Sequence, residues 1–327
     1  MPPEPPAGPF SPDVCPPAKR LAHATELVVL SPHLDDAALS LGGTLLRAAH
    51  APAHAQVWTF YTAGPPVGEL PPKQRVFGDY AARAVEDVRA LAILEAEPRH
   101  LGLWERIWRE PQVRGLHKVF RAPDGLGGFS ELPRVRRIVE TLLVDRPDAT
   151  VLAPLGIGGH VDHLELAIAA LQAATAAGAL HRVGFYEDFY AISEHLRRRH
   201  PVTRRARRRP FAAPGWAAPL AGATVRAAAQ VPRGPSLDAL VDGFSALEWE
   251  CVPTLIAAEE HRKLAAVAAY ESQTELLGRL APGLPLMLRR QHAVRGGEPV
   301  WWASAPHAEH STRPSAGRAA QMSGATR

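Results

Sequence analysis

Apolar and polar residues follow one another along this chain in two rhythms. Short aliphatic and aromatic runs occur at Glu26-Leu27-Val28-Val29-Leu30, at Gln56-Val57-Trp58-Thr59-Phe60-Tyr61 and at Thr150-Val151-Leu152-Ala153-Pro154. Their length, β-branched content and Pro or Gly borders predict buried parallel strands. Arg99–Leu103 and Arg182–Ala191 read as two further strands. Between them, helical patterns cover Ala37–His50 (despite Gly42 and Gly43), Pro72–Glu97, Leu132–Asp145, Leu164–Ala177 and Leu255–Leu277. Pro71-Pro72 suits a helix start, and residues 123–128 read as a loop. Strands alternating with helices predict an α/β fold, a Rossmann-like doubly wound and largely parallel sheet with helices on both faces. No internal repeat is visible.

The 327 residues, 46% of them hydrophobic, are enough for one large core. We read a single domain over residues 23–305, with an Arg-rich insertion at about 194–215, a Pro-rich disordered tail at 1–22 and a disordered tail at 306–327. No apolar stretch approaches the ~20 residues of a membrane span. Met1–Pro17 lacks the charged-then-apolar order of a signal peptide. Cys15 and Cys251 do not suggest a disulfide framework, so a cytoplasmic location is expected.

Charge changes the picture only locally. Eight arginines lie between Arg197 and Arg209, and setting them aside turns the formal net charge of +4 into a deficit of four. A solvated surface insertion is the expected reading. Contact with nucleic acid or anionic lipid is the alternative, and no aromatic interleaving or nucleic-acid motif supports it. Nucleic acid is therefore not an expected partner.

Two clusters carry the candidate chemistry: Pro32-His33-Leu34-Asp35-Asp36 after the first strand, and His160-Val161-Asp162-His163 after the strand at Thr150. Active sites of open α/β sheets gather beyond the carboxyl ends of the strands, so both clusters can meet in one crevice. Two His and one carboxylate form a ligand set typical of catalytic zinc, which keeps an open position for water and lowers that water's pKa. Asp35 and His160 are then left over as an acid/base pair beside the metal, as amide hydrolysis requires. Each cluster alone has an ordinary explanation. Asp-Asp after a strand often caps a helix, and with 15 histidines a chance HxxH is common. Their pairing at two strand ends favours metal. The run Gly156-Ile157-Gly158-Gly159 fails the GxGxxG dinucleotide pattern at Val161.

These residues resemble the PIG-L/LmbE-like zinc-dependent N-acetylglucosaminyl deacetylases. The family's first motif, roughly (P/A)HPDDE, is similar to PHLDDA here, and its HxDH motif to His160–His163. Arg83-Ala84-Val85-Glu86-Asp87, Tyr186-Glu187-Asp188 and Lys263–Gln273 resemble three further elements, so the likeness spans about Glu26–Leu277. The resemblance implies that His33, Asp36 and His163 ligate one Zn²⁺ (or another divalent metal) and that Asp35 is the general base toward the metal-bound water. It also implies that a protonated His160 stabilises the oxyanion and that Asp162 orients or electrostatically tunes His160. Ser40, Arg83 and Glu110 are the implied substrate contacts. An ordinary ion pair with Glu86 or Asp87 is the alternative for Arg83, and core packing the alternative for Tyr270 and Gln273. Leu34 and Ala37 depart from the family's Pro and Glu. The implied activity is removal of an N-acetyl group from an acetamido sugar or a sugar-bearing small molecule, and an oligomer is compatible with it. The alternatives are a metal-dependent amidase on another N-acyl substrate, a non-catalytic sugar-binding relative, and a module that binds anionic partners through the Arg-rich segment.

Overall fold

A computed structural model of the chain describes residues 15–51, 53–110, 116–205, 228–229, 231, 234–273 and 283–305. Seven strands form one sheet in the order β3-β2-β1-β4-β5-β7-β6. They are β1 (Glu26–Ser31), β2 (His54–Ala63), β3 (Glu97–Trp104), β4 (Thr150–Pro154), β5 (Val183–Tyr186), β6 (Glu248–Thr254) and β7 (Glu298–Ser304). The first five run parallel, while β7 lies antiparallel to β5 and β6 antiparallel to β7. The helices are α1 (Asp36–His50), α2 (Pro72–Gly78), α3 (Tyr80–Ile93), α4 (Leu132–Asp145), α5 (Val161–Ala176), α6 (Glu194–Arg199), α7 (Glu260–Ala268) and α8 (Gly283–Arg295).

Successive side chains of a strand point to opposite faces, so a strand covered on both sides is apolar throughout. β1 shows this. Leu27 and Val29 pack into a cluster with Leu41 and Leu45 of α1 and Leu91 of α3, whereas Val28 and Leu30 join Val139 of α4 and Ile168 of α5 on the other face. β1 has β2 on one side and β4 on the other. The connections leave β1 and β4 in opposite directions across the sheet, and such a switch point opens a crevice at the carboxyl ends of the two strands.

The structure differs from the sequence pattern in five places. The helix expected over Pro72–Glu97 breaks at Asp79, whose side chain accepts the Ala82 N–H at 3.0 Å and so starts a new helix, α3; Glu97 opens β3. The strand expected to reach Ala191 stops at Tyr186, because Glu187 and Asp188 turn away from the ladder to serve buried polar partners. The helix expected over Leu255–Leu277 runs over Glu260–Ala268, breaks at Ala269-Tyr270, where the Tyr270 hydroxyl donates to Asp87, and is helical again at Glu271–Gln273; residues 274–277 lie outside the described residues. β6 and β7 were not expected. Glu248 and Glu250 break the apolar pattern of an edge strand, and β7 carries Pro299, paired in register with Pro253. Within the Pro-rich tail, Pro17–Arg20 is helical and the Arg20 guanidinium lies 5.0 Å above the Trp302 ring. Residues 1–14, 306–327 and the 206–215 part of the Arg-rich insertion lie outside the described residues. No described helix is long and apolar enough to cross a membrane.

Candidate active site

β1 ends at Ser31, and its chain turns directly into Pro32–Asp36. The Ser31 hydroxyl donates to the His33 carbonyl at 2.8 Å and accepts the Ala37 N–H at 3.2 Å, which fastens the loop across its own base. Asp35 takes φ 149°, a conformation that L residues adopt rarely and that costs energy. β4 leads into a glycine-bearing turn in which Gly158 has φ 94°, and His160 then caps the N-terminus of α5. A Cβ on Gly158 would lie 2.8 Å from Tyr190 Cγ, so glycine is required there by space as well as by φ.

The two loops bring three donor atoms together. His33 Nδ1 lies 3.1 Å from Asp36 Oδ2, His163 Nε2 lies 3.1 Å from the same oxygen, and the two imidazole nitrogens are 3.3 Å apart. Donors held by a tetrahedral Zn²⁺ at about 2.0–2.1 Å are separated by about 3.3 Å. Two imidazoles and one carboxylate at that spacing fit the ion in chemistry and in size. His160 also offers a ring nitrogen, all three histidines' candidate atoms lying within 4.8 Å of one another. Its Nδ1, however, already accepts the Asp162 backbone N–H at 3.2 Å.

A carboxylate stands behind each ligand ring. His33 Nε2 meets Asp162 Oδ2 at 3.0 Å, and His163 Nδ1 meets Asp188 Oδ1 at 2.5 Å. Such partners fix the tautomer and turn the other nitrogen toward a metal. Against the opposing effect of burial, Asp36 and Asp188 raise His163 to about 9. A cation entering this site must therefore displace a proton, as metal sites generally require.

Asp35 and His160 flank the three donors. Asp35 is half-buried and its carboxylate makes no hydrogen bond among the described residues. Burial and the neighbouring Asp36 push it up to about 8, against the pull of Arg83 and His33. His160 stands edge-on to His33 and to Phe120, with ring centroids 4.8 and 5.3 Å away. Burial, and then His33, hold it well below the ordinary histidine value. With Nδ1 accepting from the backbone, a neutral His160 carries its proton on Nε2, so it can donate without being charged. That differs from the imidazolium expected from the sequence.

Residues 28–174 match the family model described as PIG-L, GlcNAc-PI de-N-acetylase. Over that stretch the chain is similar to the family. A 2'-N-acetylparomamine deacetylase of Streptomyces fradiae is 36% identical over 186 residues, covering 52% of this chain and 58% of that protein. This chain thus spans somewhat more than half the length of that relative. Among solved structures, a deacetylase of teicoplanin biosynthesis superposes with a TM-score of 0.59 at 23% identity, over 86% of this chain and 99% of the other. The A40926 pseudoaglycone deacetylase gives 0.55 at 21% identity, over 86% and 98%. These two likenesses establish the fold.

The remaining predicted residues take several places. The Asp162 carboxylate does not touch the His160 ring. It faces His33 and the buried Arg109 guanidinium and accepts the Arg106 N–H at 2.9 Å, so it acts on His160 through its backbone N–H and its charge. Arg83 is buried and pairs with Glu105 at 2.7 Å, beneath the Tyr80 ring, while Glu86 accepts from Ser272 and Asp87 from Tyr270. The Ser272 and Tyr270 contacts make the Lys263–Gln273 element a brace for α3. Ser40 Oγ is sealed from solvent and has no hydrogen-bond partner among the described residues. Glu110 is exposed beside Arg106. Of the Arg-rich run, Arg197 forks onto buried Glu187 at 2.8 Å, Arg198 pairs with Glu194, and Arg204 with Asp238.

Sequence reasoning missed Asp188, Arg109 and Glu298. Asp188 had a signal, since it ends the quoted Tyr186-Glu187-Asp188 element at a strand end. Arg109 pairs with Asp162 and, at 2.8 Å, with Glu165, setting one cation between two buried carboxylates below the site. Glu298 accepts from Gly43 N at 2.9 Å, Thr44 N at 2.7 Å and Lys263 Nζ at 2.7 Å. It thereby pins α1, the helix that begins with Asp36, and nothing local in the sequence marks it.

Proposed function

We propose that this protein is a metal-dependent hydrolase that removes the N-acetyl group of an acetamido sugar carried by a small molecule. The observation that carries this reading is the triangle of His33 Nδ1, Asp36 Oδ2 and His163 Nε2, with sides of 3.1, 3.1 and 3.3 Å, beside the unengaged Asp35 carboxylate. The deacetylase of 2'-N-acetylparomamine among its relatives favours an amino sugar as the acyl bearer. His33, Asp36 and His163 would hold the ion, zinc being the one their chemistry suits. When bound, the ion supplies Lewis acidity and lowers the pKa of water. A cytoplasmic location agrees with two cysteines that form no disulfide.

The protein's own groups account for the proton transfers. Asp35 takes a proton from the attacking water as its oxygen bonds to the carbonyl carbon. His160 donates from Nε2 to the carbonyl oxygen as negative charge grows there. The C–N bond then breaks, the proton on Asp35 passes to the departing nitrogen, and acetate and a free amine leave. A carboxyl group held at about 8 is suited to both halves of that exchange near neutral pH. Arg109, through Asp162, keeps the lower wall of the site charge-balanced.

Release of acetate from a panel of N-acetylated amino sugars, including pseudodisaccharides acetylated at one position, tests the proposal. Acetate and amine should appear in equal amounts, and chelation should stop the reaction. Binding of such sugars with no turnover by the metal-loaded protein would favour the non-catalytic alternative instead.

A further inference from the structure

The chain has five tyrosines, and four of their hydroxyls are tied to the protein. Tyr61 donates to Glu165 at 2.7 Å, Tyr186 to the Leu30 carbonyl at 3.0 Å and Tyr270 to Asp87 at 2.7 Å, while Tyr80 accepts from Trp108 at 2.9 Å. Tyr190 is the exception. Its side chain is as deeply placed as core residues, with 9% of the residue exposed. Yet its hydroxyl makes no hydrogen bond among the described residues and is not one of the polar atoms sealed from solvent. A tyrosine buried for packing alone normally finds a partner for its O–H.

The ring is wedged at the mouth of the candidate site. It stands edge-on to His163 at 5.6 Å and to Phe120 at 5.3 Å, and Phe120 in turn packs on His160. Gly158, two residues before His160, leaves the space that the ring fills. The 3-10 turn Phe189–Ile192 fixes its backbone through Ala191 N to Asp188 O at 2.8 Å and Ser193 N to Tyr190 O at 3.0 Å. The charged groups acting on the hydroxyl are Asp36, Asp35, Asp188 and Glu105, which come from the ends of β1, β5 and β3. Among the described residues nothing accepts from this donor, and the carboxylates that act on it are those of the candidate site.

Resting on the hydrolase reading above, we propose that Tyr190 is a further substrate-contacting residue, its phenol O–H donating to the oxygen of the scissile carbonyl as that oxygen becomes tetrahedral. Tyr190 and His160 then approach the oxygen from two sides, the ring of Phe120 holding both. No motif carries Tyr190.

Tyr190→Phe tests this cleanly, because the lost hydroxyl breaks no bond within the protein. Thermal stability and metal content should match the wild type. The kcat for release of amine should fall by roughly 10²–10³ with little change in KM, the loss expected for one oxyanion donor. Affinity for a tetrahedral phosphonamidate of the amino sugar, read by calorimetry, should fall alongside. Values of kcat and analogue affinity within twofold of wild type would overturn the proposal. If the wild type releases no amine from any acetamido sugar, the hydrolase reading fails, and the analogue decides for Tyr190: weaker binding by Tyr190→Phe upholds the contact, and equal binding or none by either protein overturns it.

Discussion

Asp188 Oδ1 lies 2.5 Å from His163 Nδ1, while its second oxygen accepts the Ile157 N–H at 2.9 Å. One buried carboxylate therefore fixes a candidate ligand ring and the turn that presents His160. Asp162 does the same for His33 from the opposite side, but it is balanced by Arg109, whereas among the described residues no ion pair joins Asp188 to an arginine or lysine.

Asp188→Asn keeps the shape of the side chain and removes its charge. The His163 ring then keeps only a neutral amide oxygen in place of the charged acceptor at Nδ1, and zinc affinity should fall by about 10–100-fold. Competition with a chelator measures this directly. Unchanged affinity would mean that Asp188 serves the fold alone.

Asp35 adjoins a candidate ligand without sharing its contacts. Asp35→Asn should therefore retain the metal and lose about 10²–10⁴ in turnover, the usual share of a general base. Elemental analysis and the amine assay on one preparation check both halves. Near wild-type turnover would place the base elsewhere.

Lys263 and Glu298, each 1% exposed, form a buried ion pair that ties α7 to β7 and to the Gly43–Thr44 turn of α1. Lys263→Met leaves the Glu298 charge without its cation and should cost about 3–5 kcal/mol of folding stability. Lys263→Met combined with Glu298→Gln should recover part of that loss. The two urea midpoints, measured beside the wild type, show whether the pair is coupled.

His200 is buried, its ring nitrogens engaged by the Leu155 carbonyl at 3.0 Å and the Val202 N–H at 3.4 Å. Burial lowers it to about 4; the Leu155 carbonyl and Asp238 oppose that shift, and Arg204 and Arg197 add to it. Below the unfolded value of about 6.5 the unfolded chain binds a proton that the folded chain refuses. Stability is thus full above pH 6.5 and declines as pH falls toward about 4, by about 3 kcal/mol from this group. Denaturation at several pH values should show a shallower decline in His200→Gln than in the wild type across that window.

The parallel half of the sheet was legible because β1 and β4 are buried on both faces and so spell continuous apolar runs. The candidate metal donors were legible because they fall within nine residues of those strand ends. β6 and β7 escaped because an edge strand needs no apolar run and because Pro299 and Glu298 interrupt the other. Asp79 hid a helix boundary, since a capping aspartate also reads as a polar helix residue. Tyr190, Arg109 and Glu298 reach the site by folding, from positions where no neighbour in sequence shares their task.

The most direct test of the central claim is one titration. Metal-free protein receives zinc in steps while amine release from an N-acetylated amino sugar and bound metal are read together, for wild type and for His163→Ala. The wild-type rate should climb in proportion to bound zinc up to one equivalent, and His163→Ala should neither retain the ion nor gain activity. A wild-type rate that ignores zinc, or full activity in His163→Ala, would contradict a hydrolase built on His33, Asp36 and His163.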